Sequence, residues 1–304
     1  MDKILIMGTG ALANLFGSQL SKTGMDVTLL GTWEEGVKAV RKHGIRLACP
    51  EGEVAYPARA VKSPAEVGQA RYALVLVKSW QTQRAARQLS EILEPEGVAL
   101  TLQNGLGNRE LLADHLGEKR AAQGVTTTGA TLLGPGHVRP GGEGIVSVED
   151  HPRLPPLITG LKKAGFKVKI APDVDSLIWR KIIINVAINP LTAIFGVPNG
   201  KLLESQSALA LMGQAVWEVE KIAESQGIEI GFDDPLALAK DVARRTASNR
   251  SSMLQDVSRG APTEIEAICG AVVRAGQEKD ISTPINQALT YLVKSLVELK
   301  KEHV

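Results

Sequence analysis

The sequence predicts a two-domain α/β protein, in which a doubly wound parallel sheet is followed by an all-helical C-terminal domain. In the first half, short apolar runs alternate with helical stretches, which is typical of a parallel sheet covered by helices. From about residue 173 onward, apolar residues recur only with a helical period. We therefore predict one domain over residues 1–172 and a second over residues 173–304.

The predicted strands of the first domain are continuously apolar, as expected when helices cover both faces of a sheet. They are Ile4–Met7, Val27–Leu30, Ala73–Val77, Val98–Leu102 and Ala121–Val125. The glycine-containing segment Val138–Val148 is predicted to form a hairpin, and Lys167–Ile170 a final strand.

The helices predicted for the second domain are long and are separated mainly by glycine and proline. They occupy residues 176–195, 205–226, 235–257 and 263–278, and another helix begins near Pro284.

Composition excludes several classes of protein. Lys and Arg number 35 against 33 Asp and Glu, and no long basic run stands out, so no nucleic-acid partner is expected. No apolar run approaches the roughly 18 to 20 residues that span a bilayer, and no export leader precedes the first strand, so no membrane partner is expected. Cys49 and Cys269 lack metal-ligand spacing. We expect a cytoplasmic protein without a metal.

A glycine-rich segment follows the first strand directly, and it matches the dinucleotide fingerprint with alanine at the third small position. Its residues are Gly8, Thr9, Gly10, Ala11, Leu12 and Ala13. The first glycine permits a tight turn, the second lets the backbone approach a pyrophosphate, and the third small residue lets helix and strand pack closely. The sequence therefore predicts a Rossmann-type domain that binds a nicotinamide dinucleotide.

The end of the second predicted strand favours NADP(H) over NAD(H). Enzymes that use NAD usually have an acidic residue there to hold the ribose hydroxyls, whereas this chain continues with Gly31 and Thr32. We expect Thr32, with Lys38 or Arg41, to contact a phosphorylated ribose. Glu34 and its neighbour Glu35 would oppose a phosphate if they pointed inward.

Two polar residues follow other predicted strands, at the edge where doubly wound sheets bind ligands. Lys78 could hold a ribose or phosphate group, and the Asn104 amide could both donate and accept hydrogen bonds. Each could instead be an ordinary turn residue, since Asn-Gly is a favoured turn pair.

Lys181, Asn185 and Asn189 are spaced four residues apart in an otherwise apolar helix. This spacing places all three side chains on one polar stripe. A buried ammonium group beside two amides is costly unless a polar group faces it, so the stripe predicts a ligand site. The alternative is that the lysine extends to solvent and the amides bond a neighbouring helix.

Together these motifs resemble the ketopantoate reductase (2-dehydropantoate 2-reductase) family over nearly the whole chain. The matching segments are Gly8–Ala13, Val77–Gln81, Gln103–Gly107, Trp179–Lys181, Asn185, Asn189–Ala193, Pro198–Gly200, Asn249–Asp256 and Thr263–Glu266. Their order and spacing are far more specific than the glycine fingerprint alone.

The resemblance implies NADPH-dependent reduction of 2-dehydropantoate to (R)-pantoate, a step toward pantothenate and coenzyme A. It implies that Lys181 is the general acid and that Glu264 contacts substrate or cofactor and tunes the site. The substrate-binding residues it implies are Asn104, Asn185, Asn189, Asn199, Asn249 and Ser252. The cofactor-binding residues it implies are Gly8–Ala13, Lys78, Asn104, Ala130 and Glu264, beside the Thr32 that the end of the second strand indicates.

Two positions depart from the family pattern, since Thr32 stands where members often have arginine and Gly129 where some have histidine. Two other functions remain open, a reductase of a different 2-oxo acid and a dinucleotide sensor without catalysis. A sensor would not need the polar set of Lys181, Asn185, Asn189, Ser252 and Glu264. The expected partner is a small 2-oxo acid, and a homodimer is compatible with a family that includes dimers and monomers.

Overall fold

The computed structural model describes residues 3–301, and side chains through Leu299. It divides into two compact units. Among the described residues, the first contains 3–103 and 108–174, and the second contains 104–107 and 175–301. The four-residue loop 104–107 thus belongs to the second unit although its chain neighbours on both sides belong to the first.

The first unit contains all of the strands found within residues 3–301. They are β1 (Lys3–Met7), β2 (Asp26–Leu30), β3 (Ile45–Cys49), β4 (Gly52–Tyr56), β5 (Arg59–Val61), β6 (Ala70–Val75), β7 (Leu93–Thr101), β8 (Ala121–Thr126), β9 (Ala130–Gly134), β10 (His137–Pro140), β11 (Ile145–Glu149) and β12 (Lys167–Ala171). The sequence did not predict β3, β4, β5 or β9.

The main sheet has eight strands in the order β12-β11-β8-β7-β6-β1-β2-β5. All neighbouring strands are parallel except β8 and β11, which are antiparallel. The central strands are buried on both faces, with Ile4, Leu5 and Ile6 fully inaccessible. The predicted fold class, a doubly wound Rossmann-type sheet followed by a helical domain, is confirmed.

The hairpin predicted over residues 138–148 is wrong. Strand β10 pairs with β3 and β9 in a separate four-stranded sheet, whereas β11 pairs with β8 and β12 in the main sheet. The glycines between β10 and β11 connect the two sheets. Gly144 packs so tightly that an added Cβ would lie 2.4 Å from Thr128 N.

The helices of the first unit are α1 (Ala11–Lys22), α2 (Glu34–His43), α3 (Thr82–Ile92), α4 (Asn108–Leu116) and α5 (Pro155–Lys163). The helices of the second unit are α6 (Val174–Phe195), α7 (Gln206–Ser225), α8 (Pro235–Arg245), α9 (Ser252–Ser258), α10 (Cys269–Glu278) and α11 (Pro284–Lys301). Helix α6 is the centre of the second unit, where Ile183, Val186 and Ala187 are fully buried in its apolar core.

The helix predicted over residues 235–257 is interrupted between α8 and α9. The carbonyls of Ala247 and Asn249 in the gap accept hydrogen bonds from Gly200 N and Asn199 N, both at 3.0 Å. Ser251 then caps α9 by accepting a hydrogen bond from Leu254 N at 3.1 Å. The prediction missed this interruption because residues 236–257 contain neither glycine nor proline to mark a break.

The helix predicted over residues 263–278 begins later, at Cys269. Residues 264–268 form turns in which the Glu264 carbonyl accepts hydrogen bonds from both Ala267 N and Ile268 N. The Ala267 carbonyl accepts from Leu106 N at 2.9 Å. Contact with loop 104–107 therefore explains why this segment departs from a regular helix.

By length and composition alone, α6 is long and apolar enough to cross a membrane, contrary to the expectation that no apolar run approaches that length. Most of the helix is buried inside the protein. A core helix of a globular domain meets the same criterion, and we interpret α6 as one.

Candidate active site and cofactor loop

The glycine loop connects β1 to α1 with the geometry that the sequence predicted. Gly8 has a φ of +123°, and a Cβ there would lie 3.2 Å from the Leu76 carbonyl oxygen. Gly10 is the N-cap of α1 and has no atom near its missing Cβ, while the first turn of α1 contains no acidic residue. A helix start with free space and no carboxylate fits a pyrophosphate.

Asn14 supports this loop, and the sequence did not single it out. Its fully buried side chain donates from Nδ2 to the carbonyls of Thr9 and Gly10, both at 2.9 Å. The Gly10 carbonyl also accepts from Asn14 N at 3.0 Å. Because its carbonyls are held from inside, the loop is fixed before a ligand arrives.

We expect Asn14→Ala to weaken the binding of a nicotinamide dinucleotide by up to about thirtyfold, because it removes two neutral hydrogen bonds worth about 1 kcal/mol each and the loop loses its fixed conformation. Fluorescence titration with NADPH measures this. Turnover at saturating cofactor should change less. Ser18→Ala is the matched control, since Ser18 is also buried in α1, but its hydroxyl donates to the Leu15 carbonyl within the same helix and not to the glycine loop. An unchanged dissociation constant for a folded Asn14→Ala variant would contradict a role for Asn14.

The other predicted cofactor residues lie at different places in the first unit. Thr32 is exposed directly after β2. Lys78 is half-buried at the start of a short 3-10 helix after β6. Ala130 begins β9, in the four-stranded sheet rather than the main sheet, and packs against the same apolar core as Ala11 and Leu12.

A buried network joins the carboxyl ends of β6 and β7, which sequence reasoning also missed. Gln103 Nε2 donates to the Val77 carbonyl and to Thr82 Oγ1, both at 2.8 Å. Thr82 Oγ1 donates in turn to Asn108 Oδ1 at 2.9 Å. Gln103 and Asn108 are the residues on either side of loop 104–107. Thr82 therefore connects the two ends of this loop through hydrogen bonds.

In the second unit, α6 presents the predicted polar stripe. Lys181 and Asn185 are half-buried, and Asn189 is buried. The residues between them, including Ile182 and Ile183, form apolar core. The stripe is thus a polar seam in an otherwise apolar helix.

Glu264 is buried and acts electrostatically on Lys181. Burial of the ammonium lowers the pKa of Lys181 from 10.5 to about 8, and the Glu264 carboxylate opposes this shift by raising the pKa. A lysine with a pKa near 8 remains mostly protonated at pH 7, yet it releases its proton far more readily than a lysine in water.

Loop 104–107 places Asn104 beside this pair. Asn104 Nδ2 donates to Glu264 Oε2 at 3.1 Å, and Leu106 N donates to the Ala267 carbonyl at 2.9 Å. Gly105 has a φ of +96°, and a Cβ there would lie 2.4 Å from the Ala267 oxygen. The structure therefore brings together Lys181, Glu264 and Asn104.

A second group of predicted residues surrounds the gap between α8 and α9. Asn199 is buried and donates from Nδ2 to Thr246 Oγ1 at 2.9 Å, and Asn249 is exposed. Ser252 is exposed at the first turn of α9. Its neighbour Ser251 is buried instead, with its Oγ 2.7 Å from Thr192 Oγ1.

Two amide atoms in the predicted set have unused hydrogen-bonding capacity. Within the part of the chain that the structure describes, Asn185 Nδ2 and Asn199 Oδ1 are buried without a hydrogen-bond partner. Buried polar atoms are normally paired, so an unpaired donor and an unpaired acceptor indicate places for a polar ligand. Both side chains belong to the second unit.

Neither cysteine belongs to the groups of polar residues described above. Burial raises the pKa of the Cys269 thiol well above its usual value, so it remains protonated and is a poor nucleophile. Cys49 is half-buried and free.

Comparison with known families accounts for the motifs in both units. The family model described as "Ketopantoate reductase PanE/ApbA" matches residues 4–153, and "Ketopantoate reductase PanE/ApbA C terminal" matches residues 173–297. The chain belongs to the ketopantoate reductase family. The resemblance seen in the sequence is therefore confirmed, and the protein is an oxidoreductase of the class that acts on a CH–OH group.

Curated ketopantoate reductases are similar along their whole length. The 2-dehydropantoate 2-reductase of Halobacterium salinarum is 35% identical over 298 residues, which cover 96% of this chain and 98% of that protein. The corresponding protein of Archaeoglobus fulgidus is 33% identical, with 97% and 98% covered.

The chain is also similar to solved structures of a ketopantoate reductase and of a D-mandelate dehydrogenase. A PanE/ApbA family ketopantoate reductase from Ralstonia eutropha is 31% identical with a TM-score of 0.91, covering 98% of this chain and 99% of that one. A D-mandelate dehydrogenase with NADH and anilino(oxo)acetate is 26% identical with a TM-score of 0.92, covering 97% and 98%.

Proposed function

We propose that this protein reduces 2-dehydropantoate to (R)-pantoate with NADPH, a step of pantothenate and coenzyme A biosynthesis in the cytoplasm. The observation that carries the proposal is the half-buried Lys181, whose ammonium group has a pKa of about 8, in the same unit as Glu264 and Asn104. Family membership supports the same reaction. A non-catalytic sensor would gain nothing from a buried ammonium group, which costs stability.

Reduction of a ketone places negative charge on its oxygen, and Lys181 has the chemistry to neutralise that charge. Its ammonium donates a hydrogen bond to the oxygen and then transfers a proton from Nζ to it. The bound nicotinamide supplies the hydride. Glu264 keeps the amine protonated near neutral pH, because its carboxylate raises the pKa that burial lowers.

Neutral amides and a hydroxyl group suit the rest of the substrate, a small acid with one hydroxyl. We assign Asn185, Asn189 and Asn199 to its carboxylate and hydroxyl, together with Asn249 and Ser252. The unpaired Nδ2 of Asn185 supports this assignment because it can donate to a carboxylate oxygen, and the unpaired Oδ1 of Asn199 can accept from a hydroxyl.

The first unit supplies the cofactor site in this proposal. The backbone of Gly8–Ala13 and the start of α1 bind the pyrophosphate, while Thr32, Lys78 and Ala130 contact the remainder of the dinucleotide. The open space at Gly10 and the absence of an acidic residue from the first turn of α1 support that assignment.

We expect the rate of ketone reduction to fall as pH rises through about 8, because only protonated Lys181 can act as the acid. The oxidation of pantoate should rise over the same range, since it needs the neutral amine. Glu264→Gln removes the charge that raises the pKa of Lys181. The fall in the reduction rate and the rise in the oxidation rate should therefore both occur at lower pH. Steady-state rates measured from pH 6 to 10 in both directions test this, and a Glu264→Gln profile that coincides with the wild type would contradict it.

A steady-state assay with 2-dehydropantoate and each nicotinamide cofactor tests the function directly. The similar D-mandelate dehydrogenase makes another 2-oxo acid the second candidate substrate. Aromatic and branched 2-oxo acids, benzoylformate among them, should therefore be compared in the same assay. A higher kcat/KM for one of these than for 2-dehydropantoate would overturn the proposed substrate while leaving the reductase chemistry intact.

A further inference from the structure

The carboxyl ends of β1, β2 and β5 meet beside the glycine loop. Gly8 N donates to the Leu30 carbonyl at 2.7 Å, and Gly31 N donates to the Val61 carbonyl at 3.1 Å. A Cβ on Gly31 would lie 2.8 Å from the Thr9 side chain. Gly31, which follows β2, is thus a neighbour of the loop, and Lys62 directly follows the Val61 carbonyl that Gly31 N contacts. Doubly wound folds bind the adenosine ribose in this region.

Two lysines share one carboxylate in this region. Lys38 Nζ lies 2.9 Å from Glu34 Oε1, and Lys62 Nζ lies 3.3 Å from Glu34 Oε2. Hydrogen bonds from the two lysines hold the pKa of Glu34 below its usual value. The Lys62 side chain is 48% exposed and that of Lys38 is 74% exposed, so both ammonium groups remain accessible to a ligand.

Arg41, which the sequence offered as a phosphate ligand, is engaged elsewhere. Its Nε donates to the Ala60 carbonyl at 2.6 Å and its NH2 group donates to Glu66 Oε2 at 2.7 Å. The other oxygen of Glu66 accepts from Lys62 N at 3.2 Å. Arg41 and Glu66 therefore fix the backbone from which Lys62 extends, and Glu34 is the acid that contacts the Lys62 ammonium.

We propose that Glu34 is the specificity-determining residue for the cofactor, because it holds Lys38 and Lys62 as an internal competitor of the 2′-phosphate of NADP. The inference rests on the dinucleotide binding in the proposed function. A phosphomonoester carries more charge than a carboxylate and has three acceptor oxygens. It takes the ammonium of Lys62 from Glu34 and binds it together with Lys38.

The same competition limits how strongly the protein prefers NADP. Every bound 2′-phosphate must displace Glu34 and then remain near its negative charge, and the carboxylate of Glu35 lies close enough to act on Lys38 as well. A ribose with a free 2′-hydroxyl does not displace Glu34 and is not repelled by the two carboxylates. Removing the charge of Glu34 should therefore increase the preference for the phosphorylated cofactor.

Calorimetric binding of 2′,5′-ADP and 5′-AMP tests this, because the two fragments differ in the 2′-phosphate and contain no nicotinamide. We expect Glu34→Gln to tighten 2′,5′-ADP binding about fivefold and to leave 5′-AMP binding unchanged, as the loss of one repulsive charge predicts. Lys62→Met should weaken 2′,5′-ADP binding about tenfold without affecting 5′-AMP, because it removes a charge-assisted hydrogen bond.

Glu96→Gln is the matched control. It makes the same change in net charge, but Glu96 pairs with Arg153 near the amino end of β7. This variant should bind both fragments as the wild type does. A similar gain of 2′,5′-ADP affinity in Glu96→Gln would show that net charge alone is responsible, and would overturn the proposal.

Two further outcomes would overturn it. Equal effects of Glu34→Gln on both fragments would give Glu34 a purely structural role, and weaker 5′-AMP binding alone would make it a ribose ligand of an NAD enzyme. Binding of the fragments needs no 2-oxo acid. The expected fragment affinities in a protein that reduces no ketone would therefore refute only the proposed function. If neither fragment binds, the role of Glu34 and the proposed function are both refuted.

Discussion

Lys181→Met is expected to lower the turnover of ketone reduction by about 10² to 10⁴, while the dissociation constant for NADPH stays unchanged. Methionine keeps an unbranched apolar side chain close to the length of the lysine stem but has no proton to donate. The cofactor constant should persist because the glycine loop belongs to the first unit and Lys181 to the second. Steady-state kinetics and NADPH titration on the same preparation measure the two effects.

Lys181→Arg separates proton transfer from charge. Arginine keeps the positive charge but does not release its proton at any working pH, so turnover should remain far below that of the wild type and lose its dependence on pH near 8. Lys221→Met is the matched control, because Lys221 is exposed and pairs only with Glu224 among the acids that the structure describes near it. Turnover of Lys181→Met within about tenfold of the wild type would exclude Lys181 as the acid.

The sequence could predict the parts of the site that lie within one element. The four-residue spacing of Lys181, Asn185 and Asn189 defines a helical face whatever surrounds the helix. The position of Gly8 and Gly10 directly after an apolar strand predicts the loop in the same way. Both predictions depend on local geometry, which the order of residues determines.

Contacts between residues that are far apart in the sequence could not be predicted in this way. Asn104 and Glu264 are separated by 160 positions, and their hydrogen bond depends on the docking of loop 104–107 on the turns at 264–268. Lys62 escaped notice because β5 has only three residues and its place beside β2 is a property of the sheet. Periodicity carries no information about which strands become neighbours.

Missed elements have an equally physical origin. Strand β4 is exposed at nearly every position, so it shows no apolar pattern. The gap between α8 and α9 is determined by hydrogen bonds from Asn199 and Gly200, which belong to a distant segment. Ser251 was the one local signal that could have located the start of α9, because serine favours the N-cap position.

Gly105→Ala is expected to lower kcat/KM by about 10², since displacing a catalytic group by about 1 Å can cost that much. The new Cβ would lie 2.4 Å from the Ala267 oxygen and 2.5 Å from its Cβ. Backbone cannot yield as a flexible side chain does, so the loop must move away and carry Asn104 from Glu264. The pH at which the reduction rate falls, near 8 in the wild type, should then also change, because Asn104 no longer holds the Glu264 carboxylate. Kinetics over a range of pH measure this.

Gly107→Ala distinguishes this displacement from simple backbone strain. Gly107 has a φ of +83°, similar to the +96° of Gly105, but nothing lies within 4 Å of its missing Cβ. Both substitutions therefore introduce the same unfavourable left-handed alanine, worth about 1 kcal/mol, and only Gly105→Ala adds the clash. If Gly105→Ala loses activity at a temperature where both variants remain folded, and Gly107→Ala keeps it, the loop positions Asn104. Equal activities would mean that loop 104–107 does not determine where the Asn104 amide lies.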